Sequence, residues 1–438
     1  MLVRLWLARA RNDLDAVAEE AQRLLELADT PGAIDVGDGD EGLRATALID
    51  LGAAEMSAGR LEAAEGHFEQ GLEEARRIGR RPLLELAALS HWALLSVVRS
   101  PARGEQRARE AIELARANGW EETGSAVATA YLALVGVILW RGQLSEAECW
   151  LDCAELVLHR FAEPTTAMTL YGARALLAFG RGRHGDAMTA HRAVESIEWG
   201  FATRHLVTAE VRALKLEMLA QLGETEVVQR ALDDMDEDLR ASGMMRVVQA
   251  TLRLARADPE GATTTLAPIF TGAATTEYVR WEIQALLLRA SAADTLGDAG
   301  ASSRALERAL ELAEPDGLLL PFLLHPAPEL LERHRRLRTT HASLISDILN
   351  LLAGRASAAR TGDAEPLQEP LSESELRVLR YLPSNLRGPE IAAELFLSPN
   401  TISAHLRSVY AKLGVHSRAD AVNRARELGL LAPSSLKR

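Results

Sequence analysis

The sequence predicts an all-α protein in which a superhelix of repeated helix pairs is followed by a separate four-helix unit. Three observations support this fold class. Hydrophobic residues make up 47% of the chain but aromatic residues only 4%, and the Ala- and Leu-rich remainder favours helices over sheets. A spacing of small and apolar residues recurs along residues 1–352. Residues 371–432 carry start and stop signals for four short helices.

The recurring unit is a helix, a short turn that often contains Gly, and a second helix with a small residue near its start. An apolar residue follows four positions later, and a small or apolar one three after that; Gly59, Ala64, Phe68 and Gly71 form one clear copy. Because each helix pair can bury its apolar face only against the next pair, the copies should stack into a superhelix. The key positions are 34 to 44 residues apart, at Ala64, Ala108, Ala147, Ala187, Val228, Ala262 and Ser302.

These copies resemble tetratricopeptide repeats, although most are longer than that family's usual unit. We therefore expect residues 1–352 to form a repeat domain that senses a signal or binds a partner. No polar cap precedes the first helix pair, so we expect this end either to continue upstream or to be covered by a partner. Residues 353–370 are rich in Ala, Gly, Arg, Glu and Pro, which predicts a linker.

The C-terminal unit begins with the spacing of a capping box, Ser372 with Glu375. Its second and third helices are separated by a short turn, as in a helix-turn-helix unit whose second helix can enter the major groove of DNA. The predicted starts and stops are Ser372, Pro383, Gly388 with Pro389, Ser398 with Pro399, Gly414 and Ser417.

The third helix of this unit should bury one stripe, formed by Ile402, Leu406, Val409 and Leu413. Its opposite face combines short side chains, which let a backbone approach DNA closely, with one Arg able to contact guanine O6 and N7. The residues of this face are Asn400, Thr401, Ser403, Ala404, Arg407, Ser408 and Ala411.

Charge is divided between the two parts of the chain. From Leu367 onward there are ten Lys and Arg against seven Asp and Glu, whereas the remainder has 39 against 55. The net charge of −13 argues against broad nucleic-acid binding and limits any contact with double-stranded DNA to the C-terminal unit.

The C-terminal segment resembles the LuxR-type helix-turn-helix domain over all four helices. The resemblance implies base contacts by Ser403, Ala404 and Arg407 and a phosphate contact by Thr401. Asn400, Ser408 and Lys412 complete the predicted DNA-binding set, with Lys412 and Arg418 open to either a phosphate contact or a surface role. The family usually has Lys where this chain has Ser403, so direct readout must depend more on Arg407. The matching residues are Glu390, Ile391, Ala392, Leu395, Leu397, Ser398, Thr401, Ile402, His405, Val409, Tyr410, Lys412 and Leu413.

A repeat array followed by a LuxR-type domain resembles the MalT-like bacterial regulators, which use ATP. Their nucleotide-binding loop requires a Lys after a Gly; none of the three lysines here, Lys215, Lys412 and Lys437, follows one. We therefore expect no P-loop in this polypeptide and predict no cofactor. The resemblance implies that the repeats receive an effector, either a small molecule or a protein. It also implies a homodimer through the fourth helix, Ala421 to Leu428.

Several further features of the sequence have ordinary structural interpretations. Cys149 and Cys153 are expected to be buried helix residues rather than a zinc site or disulfide, and Asp29 to Gly42 lacks the spacing of a calcium loop. Trp140 could stack on a ligand, but ordinary packing is the simpler interpretation. No apolar run reaches the roughly 20 residues of a membrane span, and no leader opens the chain, so a cytoplasmic protein is expected.

Two functions from different classes remain. The absence of a nucleophile elbow, a metal-binding His-Glu helix or a dinucleotide loop indicates that the protein is not an enzyme and has no catalytic or metal site. The first hypothesis is a transcription regulator that binds DNA through its C-terminal unit and receives a signal through its repeats. The alternative is a protein-interaction scaffold whose DNA-binding domain is weak or vestigial.

Overall fold

The computed structural model divides into two compact units, Met1–Ala353 and Gly354–Arg438. In the described part of the chain, all regular structure is helical and there is no strand, which confirms the all-α prediction. The structure describes residues 2–361 and 371–382, except 12, 29–41, 80, 122–123, 159–163, 199–205, 277 and 338; beyond 382 it describes 391, 395, 399–413, 418, 421, 422 and 425.

The first unit consists of helix pairs, followed by a closing segment and a long last helix that continues past the unit boundary. Its helices are α1 (Leu2–Ala10), α2 (Leu14–Ala28), α3 (Leu43–Ser57), α4 (Leu61–Ile78), α5 (Pro82–Arg99), α6 (Pro101–Ala117), α7 (Ser125–Trp140), α8 (Leu144–Leu158), α9 (Pro164–Gly180), α10 (His184–Glu198), α11 (Leu206–Gln221), α12 (Thr225–Asp233), α13 (Glu237–Ala241), α14 (Gly243–Ala255), α15 (Pro259–Phe270), α16 (Val279–Thr295), α17 (Ala299–Ala313), α18 (Leu320–Leu324), α19 (Pro328–Arg335) and α20 (Ala342–Thr361).

The repeat predicted from the sequence is confirmed by burial. Six of the key positions are the fourth residue of the second helix of a pair, whereas Ala108 is the eighth residue of α6. All seven are at most 2% exposed. Small residues at these positions let the paired helices approach, so that larger side chains one turn later fill the space between pairs. The residues four positions later are also buried; they are Phe68, Ile112, Leu151, His191, Leu232, Leu266 and Leu306.

In every repeat except that of Ala108, the turn between the paired helices has a residue with positive φ five positions before the key residue. Gly59 and Gly223 occupy this place with φ of 82° and 84°, which glycine adopts without steric cost. In the repeat of Ala262, this place is taken by Ala257 with φ of 57°, the one non-glycine residue with positive φ among those described. The turn geometry is therefore retained there at a cost in backbone strain.

The segment after the last repeat packs back onto the first helices of earlier repeats. A 3-10 helix, Glu314–Asp316, ends at Gly317, and α18 that follows is wholly buried. The Leu319 amide donates to the Trp140 carbonyl at 2.9 Å, and the Gln221 side chain donates to the Leu324 carbonyl at 2.9 Å. This segment therefore joins α7 and α11, which are distant from it in the sequence.

Trp140 is a packed residue, as the simpler interpretation of the sequence predicted. It is 7% exposed, and the Arg280 guanidinium lies 4.8 Å from its ring centroid, a distance at which a cation is attracted to the ring face. The indole is thus covered by the protein itself.

One sequence prediction is wrong: Cys149 and Cys153 are exposed. The buried stripe of α8 passes through Ala147, Leu151 and Ala154, and the two cysteines lie between these positions on the outer side of the helix. Partial burial, with acidic neighbours such as Asp152, raises the pKa of both thiols. The thiols are therefore protonated and weakly reactive at neutral pH.

The predicted linker begins inside a helix, because α20 extends to Thr361. Residues 362–370 lie outside the described residues, as does the predicted loop at residues 29–41. Within the part of the chain that the structure describes, no helix is both long and apolar enough to cross a membrane.

Candidate DNA-binding interface

The first helix of the C-terminal unit, α21 (Glu373–Tyr381), starts with the predicted capping box. The Ser372 hydroxyl accepts from the Glu375 amide at 3.3 Å, and the Glu375 carboxylate accepts from the Ser372 amide at 2.6 Å. Two amide groups that the first turn of a helix leaves without partners are thereby satisfied.

The candidate recognition helix, α22 (Pro399–Leu413), begins at the predicted proline. Ile402 and Val409 are fully buried and Leu413 is 4% exposed. They pack against residues of α21 that include Val378 and Leu379. The predicted buried stripe is confirmed at these positions, and the half-buried Leu406 contacts the same two clusters.

The opposite side of α22 carries the predicted DNA contacts. Arg407 is exposed and Thr401 half-buried. The backbone of Asn400, Ser403 and Ala404 belongs to α22, while their side chains lie outside the described part of the chain. Fixing the buried stripe to α21 also fixes which way this opposite face points.

Ser408 and Lys412 are brought together by a residue that the sequence analysis treated only as a cap. The Ser408 hydroxyl donates to Glu375 Oε1 at 2.6 Å, and Lys412 Nζ donates to Oε2 at 2.9 Å. Glu375 is 6% exposed, so these donors replace the water that an ionised carboxylate would otherwise need. The carboxylate connects the start of α21 to the C-terminal half of α22.

The hydrogen bond from Ser408 is the largest influence on Glu375 and, against the opposing effect of burial, lowers its pKa to about 2 with help from the Ser372 amide and Lys412. Glu375 is therefore ionised at neutral pH. Its negative charge compensates that of Lys412, whose side chain is 18% exposed.

Arg418 also holds the unit together. Its Nε donates to the Leu382 carbonyl at 3.0 Å, and Nη2 donates to the Tyr381 carbonyl at 3.2 Å. These carbonyls belong to the C-terminal end of α21, where a helix has acceptors without internal partners and favours a positive charge. The structure thus gives Arg418 a structural role that the sequence analysis did not consider, and its phosphate contact stays a prediction.

Several predicted caps lie outside the described residues, namely Gly388, Pro389, Ser398, Gly414 and Ser417. Of the second helix, Ile391 is described as helical and buried; of the fourth helix, Ala421, Val422 and Ala425 are buried. The latter three pack in the same cluster as Leu379 and Val409. Their apolar surface is thus used inside the unit, and the predicted dimer contact through this helix stays a prediction.

Two family models match this chain. Residues 3–339, more than three quarters of its length, match the MalT-like TPR region. The chain belongs to the MalT-like TPR family. Residues 369–425 match the luxR family of bacterial regulatory proteins, so this MalT-like chain carries its luxR-type domain at the C-terminal end. Both resemblances inferred from the sequence are thereby confirmed.

Curated relatives match shorter parts of the chain. A nitrate/nitrite response regulator protein homolog of Haemophilus influenzae is 35% identical over 127 residues, which is 29% of this chain and 50% of that protein. The Fimbriae Z protein of Salmonella typhimurium is 40% identical over 86 residues, 20% of this chain and 39% of the relative. A probable transcriptional regulatory protein NarL of Mycobacterium tuberculosis is 39% identical over 82 residues, 19% and 38% of the two chains. The chain thus spans half or less of the length of these relatives.

Proposed function

We propose that this MalT-like chain is a sequence-specific DNA-binding transcriptional regulator whose helix α22 enters the major groove. The observation that carries the proposal is the exposed Arg407 on a helix whose other side is anchored to α21. An Arg held in one orientation can donate two hydrogen bonds to guanine, which distinguishes this base from the other three. The luxR-family match at residues 369–425 supports the same function.

The proposed interface assigns different tasks to its residues. Arg407 reads a guanine, while Ser403 and Ala404 are short enough to bring the helix backbone close to the bases. Thr401 and Asn400, in the first turn of α22, contact a phosphate, which is favoured at a helix N-terminus. Ser408 and Lys412 belong to the edge of this interface and, through Glu375, set the position of α22.

We further propose that the repeat domain receives the regulatory signal. An open cleft with a cavity volume of about 90 Å³ lies among its first helices, lined by residues that include Asp50, His91 and Thr129. Arg9 pairs with Asp50 at 3.0 Å at this cleft. Its mixed polar and apolar walls are typical of small-molecule sites, and we propose a small-molecule effector, with a protein segment as the alternative. We propose a cytoplasmic location, because the regulator must reach the chromosome. We also propose that the chain is not an enzyme, because regulation by binding DNA and an effector requires no catalysis. Assembly as a homodimer would double the DNA contacts.

A scaffold with weak DNA affinity is the second candidate, and two observations favour it. The family's usual Lys is Ser403 here, and the charge of Lys412 is already compensated by Glu375. Fewer cations for phosphate mean weaker non-specific binding and a shallower salt dependence. Specific readout by Arg407 is the property that separates the two functions.

Genomic pull-down with the purified full chain, followed by sequencing across a salt series, tests the proposal. The regulator should enrich one short repeated sequence, and Arg407→Ala should abolish the enrichment. Arg377→Ala is the matched control, since Arg377 is exposed on α21 rather than on α22 and its loss removes the same charge. Diffuse recovery that is equal for all three proteins would overturn specific binding and leave the scaffold.

A further inference from the structure

His191 is an exception within the repeat. It stands four residues after the key Ala187, where every other copy has Phe, Ile or Leu. His191 is only 3% exposed, yet its Nδ1 has no hydrogen-bond partner among the described residues. A buried polar atom without a hydrogen-bond partner destabilises a protein. Leu would avoid this cost, so the imidazole at this position calls for a function.

A cavity of about 440 Å³ lies where His191 is found, between α10 and α11. This volume falls within the range of small-molecule sites. The next second helix, α12, has nine residues, whereas α10 has 15 and α4 has 18. Because stacked repeats cover one another, a shortened α12 leaves less protein to cover the outer part of α10.

The lining of this cavity has a defined chemistry. Val194 and Val211 form a buried apolar wall. The Lys215 ammonium pairs with the Glu195 carboxylate, and Arg212 supplies a second cation to the lining. Burial, reinforced by the charge of Lys215, lowers the pKa of His191 to about 4, so its imidazole is neutral at pH 7 and can donate or accept at Nδ1.

We propose that this cavity, the His191 cavity, binds a small aliphatic carboxylate. Its carboxylate group lies near Lys215 and Arg212 and accepts a hydrogen bond from His191, while its aliphatic part contacts Val194 and Val211. Binding gives the buried imidazole a hydrogen-bond partner and places an anion beside two cations. The site is separate from the cleft near Asp50, and its occupancy can be measured whether or not the chain binds DNA.

NMR of the full chain labelled with ¹⁵N-histidine tests this inference. Butyrate, butyramide and butylamine are similar in shape and differ in charge, and the His191→Leu variant identifies the His191 ring signals. Butyrate should shift these signals saturably, and the other two compounds should bind at least about tenfold more weakly because charge-assisted hydrogen bonds are lost. No saturable shift with butyrate, or equal binding of all three compounds, would overturn the proposal.

Two substitutions with opposite expected effects separate a carboxylate site from a general disturbance. Lys215→Met removes the cation but keeps the aliphatic chain, and should weaken butyrate at least about tenfold. Glu195→Gln removes the competing anion and should strengthen binding. Arg192→Met is the control, because the Arg192 side chain bonds to Met188 and Thr189 of its own helix and its loss should leave affinity unchanged. Equal affinities for Lys215→Met and Arg192→Met would contradict the assignment.

Discussion

Glu375 caps α21 and also joins this helix to α22 in the C-terminal unit. Its carboxylate accepts hydrogen bonds from the first turn of α21 and from two residues of α22. The capping box was predictable, because it depends on residues three positions apart. The bonds to Ser408 and Lys412 were not, because they join residues 33 and 37 positions apart and depend on how the two helices pack.

The lowered pKa of Glu375 predicts a pH dependence. The folded pKa of about 2 lies below the ordinary glutamate pKa of 4.5, so the ionised carboxylate stabilises the fold above the unfolded pKa. This contribution is lost as the pH falls from about 4.5 towards 2. Urea unfolding of the unit, followed through the Val409 amide signal in the full chain, should show a smaller loss of stability between about pH 5 and 3 for Glu375→Gln than for the wild type. Identical pH dependence of the two proteins would contradict this role.

Ala257 holds a backbone conformation that glycine would adopt with less strain. Ala257→Gly should stabilise the repeat unit by about 0.5–1 kcal/mol, because glycine adopts positive φ without the strain that a Cβ introduces. Gly223→Ala is the matched reverse change: an added Cβ there would meet no other atom within 4 Å, so only the backbone conformation at φ 84° is tested. It should destabilise the unit by about 1–2 kcal/mol. Urea denaturation measures both, and effects of equal sign would be inconsistent with the turn geometry.

At the scale of elements, the repeat pattern correctly predicted the seven second helices. It could do so because small residues recur where a second helix contacts its paired helix and the adjacent repeat. The docking of α18 was not predictable in this way. Its apolar sequence is evident, but two of its partner helices, α9 and α11, lie more than 100 residues away in the sequence. The His191 cavity likewise depends on three-dimensional packing, and only the His at a usually apolar repeat position indicated it.

The end of α18 is held by a buried polar contact. His325 Nε2 lies 2.7 Å from Glu217 Oε1, and Gln284, with its amide nitrogen facing Glu217, donates to the same carboxylate at 3.0 Å. Glu217 and Gln284 are fully buried. Glu217→Leu leaves both partners without an acceptor and should destabilise the repeat unit by about 3 kcal/mol in urea denaturation.

The double variant Glu217→Leu/His325→Leu supplies the control for this contact. Replacing both members of a buried polar pair with apolar residues should recover part of the loss, because fewer groups are then left unsatisfied. If the loss of stability in the double variant equals the sum of the losses in Glu217→Leu and His325→Leu, the two residues act independently and do not form a coupled contact.

At the scale of the whole molecule, charge and function are divided between two parts of one acidic chain. The sequence predicted this division from residue counts alone, and it identified the helix that carries the exposed Arg407. It could not show that Lys412 is compensated by Glu375, because a count of cations does not distinguish paired charges from those available to DNA.

The paired state of Lys412 predicts its effect on DNA binding. A Lys that contacts a phosphate contributes about 0.9 to the slope of log K against log salt. Lys412→Met should change this slope by clearly less, and should instead destabilise the unit by leaving the buried Glu375 carboxylate without its cation. Fluorescence anisotropy with a labelled duplex across a salt series gives the slope. A change of about 0.9 would show that Lys412 leaves Glu375 to bind phosphate.

Direct readout of a guanine by Arg407 is the central claim, and a single measurement on the enriched DNA site tests it. Each guanine of the site is replaced in turn by 7-deazaguanine, which lacks the N7 acceptor, and the affinities of wild-type and Arg407→Ala chains are compared. The wild type should lose about 1–3 kcal/mol at one guanine, whereas Arg407→Ala should be insensitive at that position. An equal loss for both proteins, or no loss at any guanine, would contradict the claim.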